Sequence, residues 1–220
     1  AAKPAFRFAP SPNGELHLGH ALSALVGWDR ACAAGGRFLL RIEDIDLARS
    51  RPRYIAGIFA DLRWLGLAWE EPVLLQSTRF AAYAGATRRL EAMGLLYPCF
   101  ATRAEIEAAA TGAGTDPDGA PLYPGLWKNR PAAEIARRKA AGEPFALRID
   151  VGKALAAAHA RLAGTPPTFT ELGEDDRPHI VAADPALWGD AVIVRKDVPA
   201  SYHLAVVVDD AWQGVTHVTR

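Results

Sequence analysis

With 220 residues, 50% of them hydrophobic, the chain holds enough apolar material for one long domain or for a domain carrying an insertion. Its 25 lysines and arginines balance 25 aspartates and glutamates, so no overall attraction to nucleic acid exists and any RNA partner has to be met by local basic patches. Cys32 and Cys99 are too few for a disulfide framework, no stretch approaches a membrane span, and Ala1-Ala2-Lys3-Pro4 runs into structured sequence without an apolar leader segment. A soluble, cytoplasmic monomer is expected, with no membrane contact.

The opening reads strand, loop, helix, strand, helix. Ala5 to Ala9 is a short apolar run, stopped by the turn formers Pro10-Ser11-Pro12-Asn13-Gly14. Gly19 to Ala34 lacks proline and is rich in alanine and leucine, and Gly35-Gly36 closes it as a helix stop. Arg37 to Ile42 is apolar on both faces, as in a strand covered by helices. Ser50 reads as the cap of a second helix with Pro52 in its first turn, and Ile58, Leu62 and Leu65 mark its apolar face. A third helix is expected from Thr78 to Met93. Alternating strands and helices predict a parallel α/β sheet.

Composition then shifts. Thr111 to Gly125 has the glycine, proline and aspartate of a surface loop. Alanine-rich helices are expected at Pro131–Ala141 and Val151–Leu162, with a short strand at Pro144–Ile149 between them. The α/β pattern resumes at Ala191–Arg195, followed by a helix over Ser201–Asp209 and a strand over Val215–Thr219. The expected division is therefore 1–96 for the first half of the sheet domain, 97–186 for an inserted subdomain, and 187–220 for the second half.

Three constellations could carry chemistry. His17 and His20, with Gly19 between them, stand at a strand-to-helix junction. There the helix dipole and imidazole N–H groups can meet an anion, and Gly19 leaves space for a nucleotide against the backbone. The alternative is a partly exposed pair at a helix start; a metal site is not expected, since no third ligand is close in sequence. Glu43, Asp44 and Asp46 end the second strand, where ligands sit in open α/β sheets. A substrate ammonium would relieve their mutual repulsion, Glu43 being best placed. An acidic turn partnered by Arg41, Arg49 and Arg51 is the other reading. Tyr202 and Arg220 stand within reach of a strand-end pocket, although tyrosines at helix starts are common interior residues.

These residues carry a family resemblance. Arg7-Phe8-Ala9-Pro10-Ser11-Pro12-Asn13-Gly14 through His17-Leu18-Gly19-His20 resembles the opening of glutamyl-tRNA synthetases and their shortened relatives. So do Leu40 to Asp46 and Tyr202 to Asp210, in the same order and with similar spacing. Gly14-Glu15-Leu16-His17, and Ala205 to Asp210 followed by Gln213-Gly214, look more like the glutamyl-Q tRNA(Asp) synthetases. The resemblance implies the Rossmann-like parallel sheet of class I aminoacyl-tRNA synthetases with an inserted α+β, acceptor-binding-like subdomain. It also implies ATP with Mg2+, L-glutamate and tRNA(Asp) as reactants: glutamate is activated to glutamyl-adenylate and passed to the queuosine base. Carried over position by position, Arg7, Ser11, Glu43, Tyr202 and Arg220 would hold glutamate. His17, Gly19 and His20 would line the ATP phosphates, with both histidines catalytic.

Two features depart from the family. A zinc site of the Cys-x-Cys and Tyr-x-x-x-Cys kind is reduced to Cys99 and Tyr123, with Ala101 and Trp127 in the other two places, so zinc is not expected. Nor does any of Lys3, Lys128, Lys139, Lys153 or Lys196 sit in a Lys-Met-Ser-Lys-Ser-type loop, and the expectation is that the chain continues past residue 220. Competing readings are the catalytic piece of a glutamyl-tRNA synthetase charging tRNA(Glu), and a non-catalytic paralogue that binds tRNA or glutamate.

Overall fold

Ala5–Phe8 forms β1 and Arg37–Ile42 forms β2, and they pair in parallel with Arg7 opposite Leu39. The computed structural model describes residues 2–112, 114–173 and 177–219. Between the two strands lies α1 (Leu18–Ala33), and α2 (Pro52–Trp64) follows β2. The side-chain period of two sends Phe6, Phe8, Phe38, Leu40 and Ile42 to one face, where they form a core with Ile58 and Leu62 of α2. Arg7, Arg41 and, just beyond the strand, Glu43 take the opposite face by the same alternation.

The sheet is completed by β3 (Glu70–Leu75), parallel to β2, and β9 (His217–Val218), parallel to β1, giving the order β3-β2-β1-β9. A 3-10 turn at Gln76–Thr78 leads from β3 into α3 (Phe80–Ala92). Helix α7 (Tyr202–Gln213) is capped by the Ser201 side chain, which accepts from the Leu204 N–H, and stops at Gly214, whose φ of 67° suits a residue without a Cβ. These elements, with α3 only as far as Ala86, make up one compact unit, Ala1–Ala86 with Val198–Arg220. Ser50 is not the cap of α2: Arg51 holds that position without a side-chain bond, and Pro52 supplies the preset first turn.

Thr87–Asp197 forms the second unit. Its sheet is antiparallel, in the order β4 (Leu96–Cys99), β5 (Ala146–Ile149), β8 (Val192–Val194). Helices α4 (Arg103–Ala109), α5 (Ala132–Ala140) and α6 (Val151–Arg161) accompany it, with a hairpin of β6 (Thr168–Leu172) and β7 (Pro178–Ala182). The expected resumption of the parallel sheet at Ala191–Arg195 is corrected by this pairing. β8 belongs to the antiparallel sheet, and β4 and β8 flank β5, so the unit extends beyond 97–186 on both sides.

Candidate active site

On the arginine-bearing face of the parallel sheet four charged side chains interlock. Arg7 donates from Nε and Nη2 to the two carboxylate oxygens of Asp210, at 3.1 and 3.3 Å. Arg41 donates from Nη1 to Asp210 Oδ1 at 2.6 Å and to Gln213 Oε1 at 3.1 Å, and from Nη2 to Glu43 Oε1 at 3.2 Å. The Arg41 side chain is 0% exposed. A guanidinium in such a place has to be paired, and its two acids do that.

Two positive and two negative groups thus neutralise one another. Desolvation pulls the Arg41 guanidinium down, but the hydrogen bond and charge of Asp210, with those of Glu43, outweigh it and hold the group above its ordinary value. Glu43 moves up as well, because burial outweighs the opposing pull of Arg41 and Arg7, and Asp210 adds to the rise. Arg41 has two acids and Glu43 has chiefly one arginine, so Glu43 is the under-compensated member. A cation arriving at Glu43 would correct that.

The turn formers after β1 are held beside this group by backbone bonds. Glu43 N–H donates to Pro10 O at 3.0 Å, and Arg51 N–H donates to Pro12 O at 3.2 Å. Ser11 lies between those two anchors and is exposed. The chain then enters α1 through a reciprocal cap made by histidines. His17 Nδ1 accepts from Gly19 N–H at 3.1 Å, and His20 Nδ1 accepts from His17 N–H at 3.2 Å. Their rings lie 3.9 Å apart, centre to centre. An accepting Nδ1 carries no proton, so each neutral ring carries its proton on Nε2 and presents it as a donor. Burial, followed by the charge of His17, lowers the His20 pKa and favours that neutral form. A Cβ at Gly19 would stand 3.0 Å from His17 Cε1, so the glycine makes room for the imidazole itself.

Residues 5–220 match the model of the catalytic domain of class I tRNA synthetases for glutamate and glutamine (E and Q). The chain belongs to this family. It is 47% identical to a glutamyl-Q tRNA(Asp) synthetase of Rhodobacter capsulatus, the match covering 97% of the chain and 75% of that protein. It is 43% identical to one of Symbiobacterium thermophilum, over 97% of the chain and 64% of that protein. Among solved structures, a glutamate tRNA ligase from Elizabethkingia meningosepticum in complex with its amino acid superposes with a TM-score of 0.74 at 25% identity, covering 98% of this chain and 43% of that one. The chain thus spans three quarters of the first relative and under two thirds of the second.

Within the family frame, the sequence candidates fall into groups. Arg7 and Glu43 are joined through Asp210 and Arg41, and His17, Gly19 and His20 are joined by the helix cap. The acidic trio is dispersed: Asp44 accepts from the Ser77 N–H and hydroxyl at 2.8 and 2.7 Å, and Asp46 pairs with Arg49 at 2.9 Å. Glu43 alone of the three belongs to the charge network. Tyr202 opens α7 with a half-exposed ring, edge-on to His203, about two helical turns before Asp210, and is no member of that network. Arg220 lies outside the described residues.

Arg41 and Asp210 were missed as site residues. A charge set inside the apolar run Phe38 to Ile42 was the available signal, because a buried arginine requires a carboxylate from elsewhere in the chain. Asp209, beside Asp210, is fully buried and accepts from Gln76 at 3.0 Å, Arg79 at 2.7 Å and Tyr83 at 2.6 Å.

The second unit bears on the zinc expectation. Cys99 Sγ lies 3.3 Å from the Tyr123 hydroxyl, which accepts from the Trp127 N–H at 2.9 Å. Ala101 and Trp127 are buried, Trp127 against Phe100 with ring centres 4.8 Å apart, and the Arg148 guanidinium covers the Tyr123 ring at 3.7 Å. Two ligand positions are apolar and a cation faces a third, so these residues do not fit zinc. Among the described residues no group of three or more His, Cys, Asp or Glu side chains is placed to hold a metal ion, and no helix is long and apolar enough to cross a membrane.

Proposed function

We propose that the protein carrying this chain activates L-glutamate with ATP and transfers the glutamyl group to the queuosine base of tRNA(Asp). In the first step an α-carboxylate oxygen of glutamate bonds to the α-phosphorus of ATP as the bond to pyrophosphate breaks, which leaves glutamyl-adenylate. In the second a nucleophile on the queuosine base takes the glutamyl carbonyl and AMP departs. Mg2+ would accompany the ATP phosphates, as is general for class I synthetases.

The observation that carries the reading is Glu43, a buried and under-compensated carboxylate whose backbone is bonded to the loop leading into the histidine cap. It would receive the substrate ammonium. Arg7, with its Nη1 edge uncommitted to Asp210, would face a substrate carboxylate, with Ser11, Tyr202 and Arg220 completing the pocket. The Nε2–H groups of His17 and His20 would point donors at the phosphates, where negative charge grows in the transition state.

Glutamate-dependent pyrophosphate exchange, followed by transfer to tRNA(Asp) with and without queuosine, tests the reading on the full-length protein. The expected result is exchange, with a stable product only on queuosine-containing tRNA(Asp). Charging of tRNA(Glu) would instead place the protein with glutamate tRNA ligases, such as the structural relative. Absence of exchange would favour a binding protein.

A further inference from the structure

We propose that Asp210 and Arg41 are positioning residues that set the spacing between the carboxylate-binding Arg7 and the ammonium-binding Glu43. This rests on the functional reading above. Neither residue needs to touch glutamate. Asp210 takes the side-on edge of Arg7, Nε with Nη2, and so turns the end-on edge outward, where Nη1 still has both of its N–H donors. Arg41 Nη1 holds the same Asp210 oxygen that Arg7 Nε holds, and Arg41 Nη2 holds Glu43 Oε1.

The path from Arg7 to Glu43 therefore runs through one carboxylate and one planar guanidinium, both with little freedom to move. Asp210 is 22% exposed at its side chain and Arg41 not at all. Rigid groups of this kind fix the distance between two binding groups in a way that water or a flexible lysine would not. Arg41 Nε is buried without a hydrogen-bond partner. That unsatisfied donor is tolerated in return for the two-acid bridge its terminal nitrogens make. Glu43 Oε1 is committed to Arg41, so Oε2 is the oxygen left for an ammonium.

Asp210 also acts on Glu43 electrostatically. The charged groups around Glu43 are Arg7 from β1, Arg41 from β2 and Asp210 from α7. Removing the Asp210 charge removes a repulsion, so Glu43 should ionise at lower pH. A loss of packing alone would not move that titration in this direction.

The test uses the full-length protein and its Asp210→Asn and Arg41→Lys variants in glutamate-dependent pyrophosphate exchange. Asn keeps the shape of Asp210 but loses the paired acceptors, and Lys keeps the Arg41 charge but not the fork. Both should raise KM for glutamate about tenfold or more while leaving KM for ATP within about twofold. In Asp210→Asn the acidic limb of kcat/KM for glutamate should move to lower pH.

A cooperative thermal transition in each variant shows that it folds. If a variant does not fold, Asp210→Glu replaces Asp210→Asn and should restore the limb of the parent without restoring its KM. Exchange in the parent with an unchanged glutamate KM in the variants overturns this inference alone. So does an equal rise in both KM values. A parent without exchange overturns the functional reading and this inference with it.

Discussion

On the proposed reading, Glu43 is at once a liability to the fold and a tool for the site. Burial raises its pKa above the 4.5 of a free glutamate, and only a partial arginine bridge opposes that rise. An ammonium binds the ionised form. As pH falls, glutamate binding should therefore weaken at a pH higher than an unperturbed carboxylate would dictate. Glu43→Gln should abolish that limb and raise KM for glutamate about tenfold to a hundredfold, with KM for ATP little changed; exchange kinetics across pH check both. Glu43 was legible in sequence as a carboxylate at a strand end. Its partners were less so, because Arg41 and Asp210 are separated by 169 positions and only the folded sheet and α7 bring them together. The histidine pair was legible as a helix start. Its use of both Nδ1 atoms for capping was not, since a ring's tautomer follows from neighbours that sequence does not place.

At the scale of elements, strands with one clear apolar face were readable and strands without one were not. β3 opens with Glu70-Glu71-Pro72 and its first half is exposed, so no period-two pattern announces it. All five residues of β6 are exposed, and so are four of the five in β7, which removes the hydrophobic alternation altogether. β8 was recognised as a strand and placed in the wrong sheet, because an apolar run states burial and says nothing about its neighbour. The Cys99–Tyr123–Trp127 corner is tied by hydrogen bonds and aromatic packing, with no metal needed to hold it. A chelator should leave the thermal midpoint of the protein unchanged, and metal analysis should find no stoichiometric zinc. Trp127→Ala should cost about 3–5 kcal/mol in denaturant unfolding, since it empties a buried indole site.

For the molecule as a whole, Asp209 and Asp210 join parts of the first unit that are far apart in the chain. Asp209 satisfies Gln76, Arg79 and Tyr83. Asp209→Ala would strand a partly buried arginine and a buried tyrosine hydroxyl, and urea unfolding should show a loss of about 3–5 kcal/mol. The two-segment make-up of this unit also has a consequence in time. During synthesis the residues of the second unit, Thr87–Asp197, are all made before those of α7 and β9. Until then Arg7 lacks its carboxylate partner and Arg41 has only Glu43, and β1 waits for the partner that meets it across 211 positions, at Thr216. Closing so long a loop comes late in folding, and contacts of that range set its pace. The charge network of the candidate site is accordingly assembled late, and a ribosome stalled before residue 209 would hold Arg7, Arg41 and Glu43 without the carboxylate that joins them.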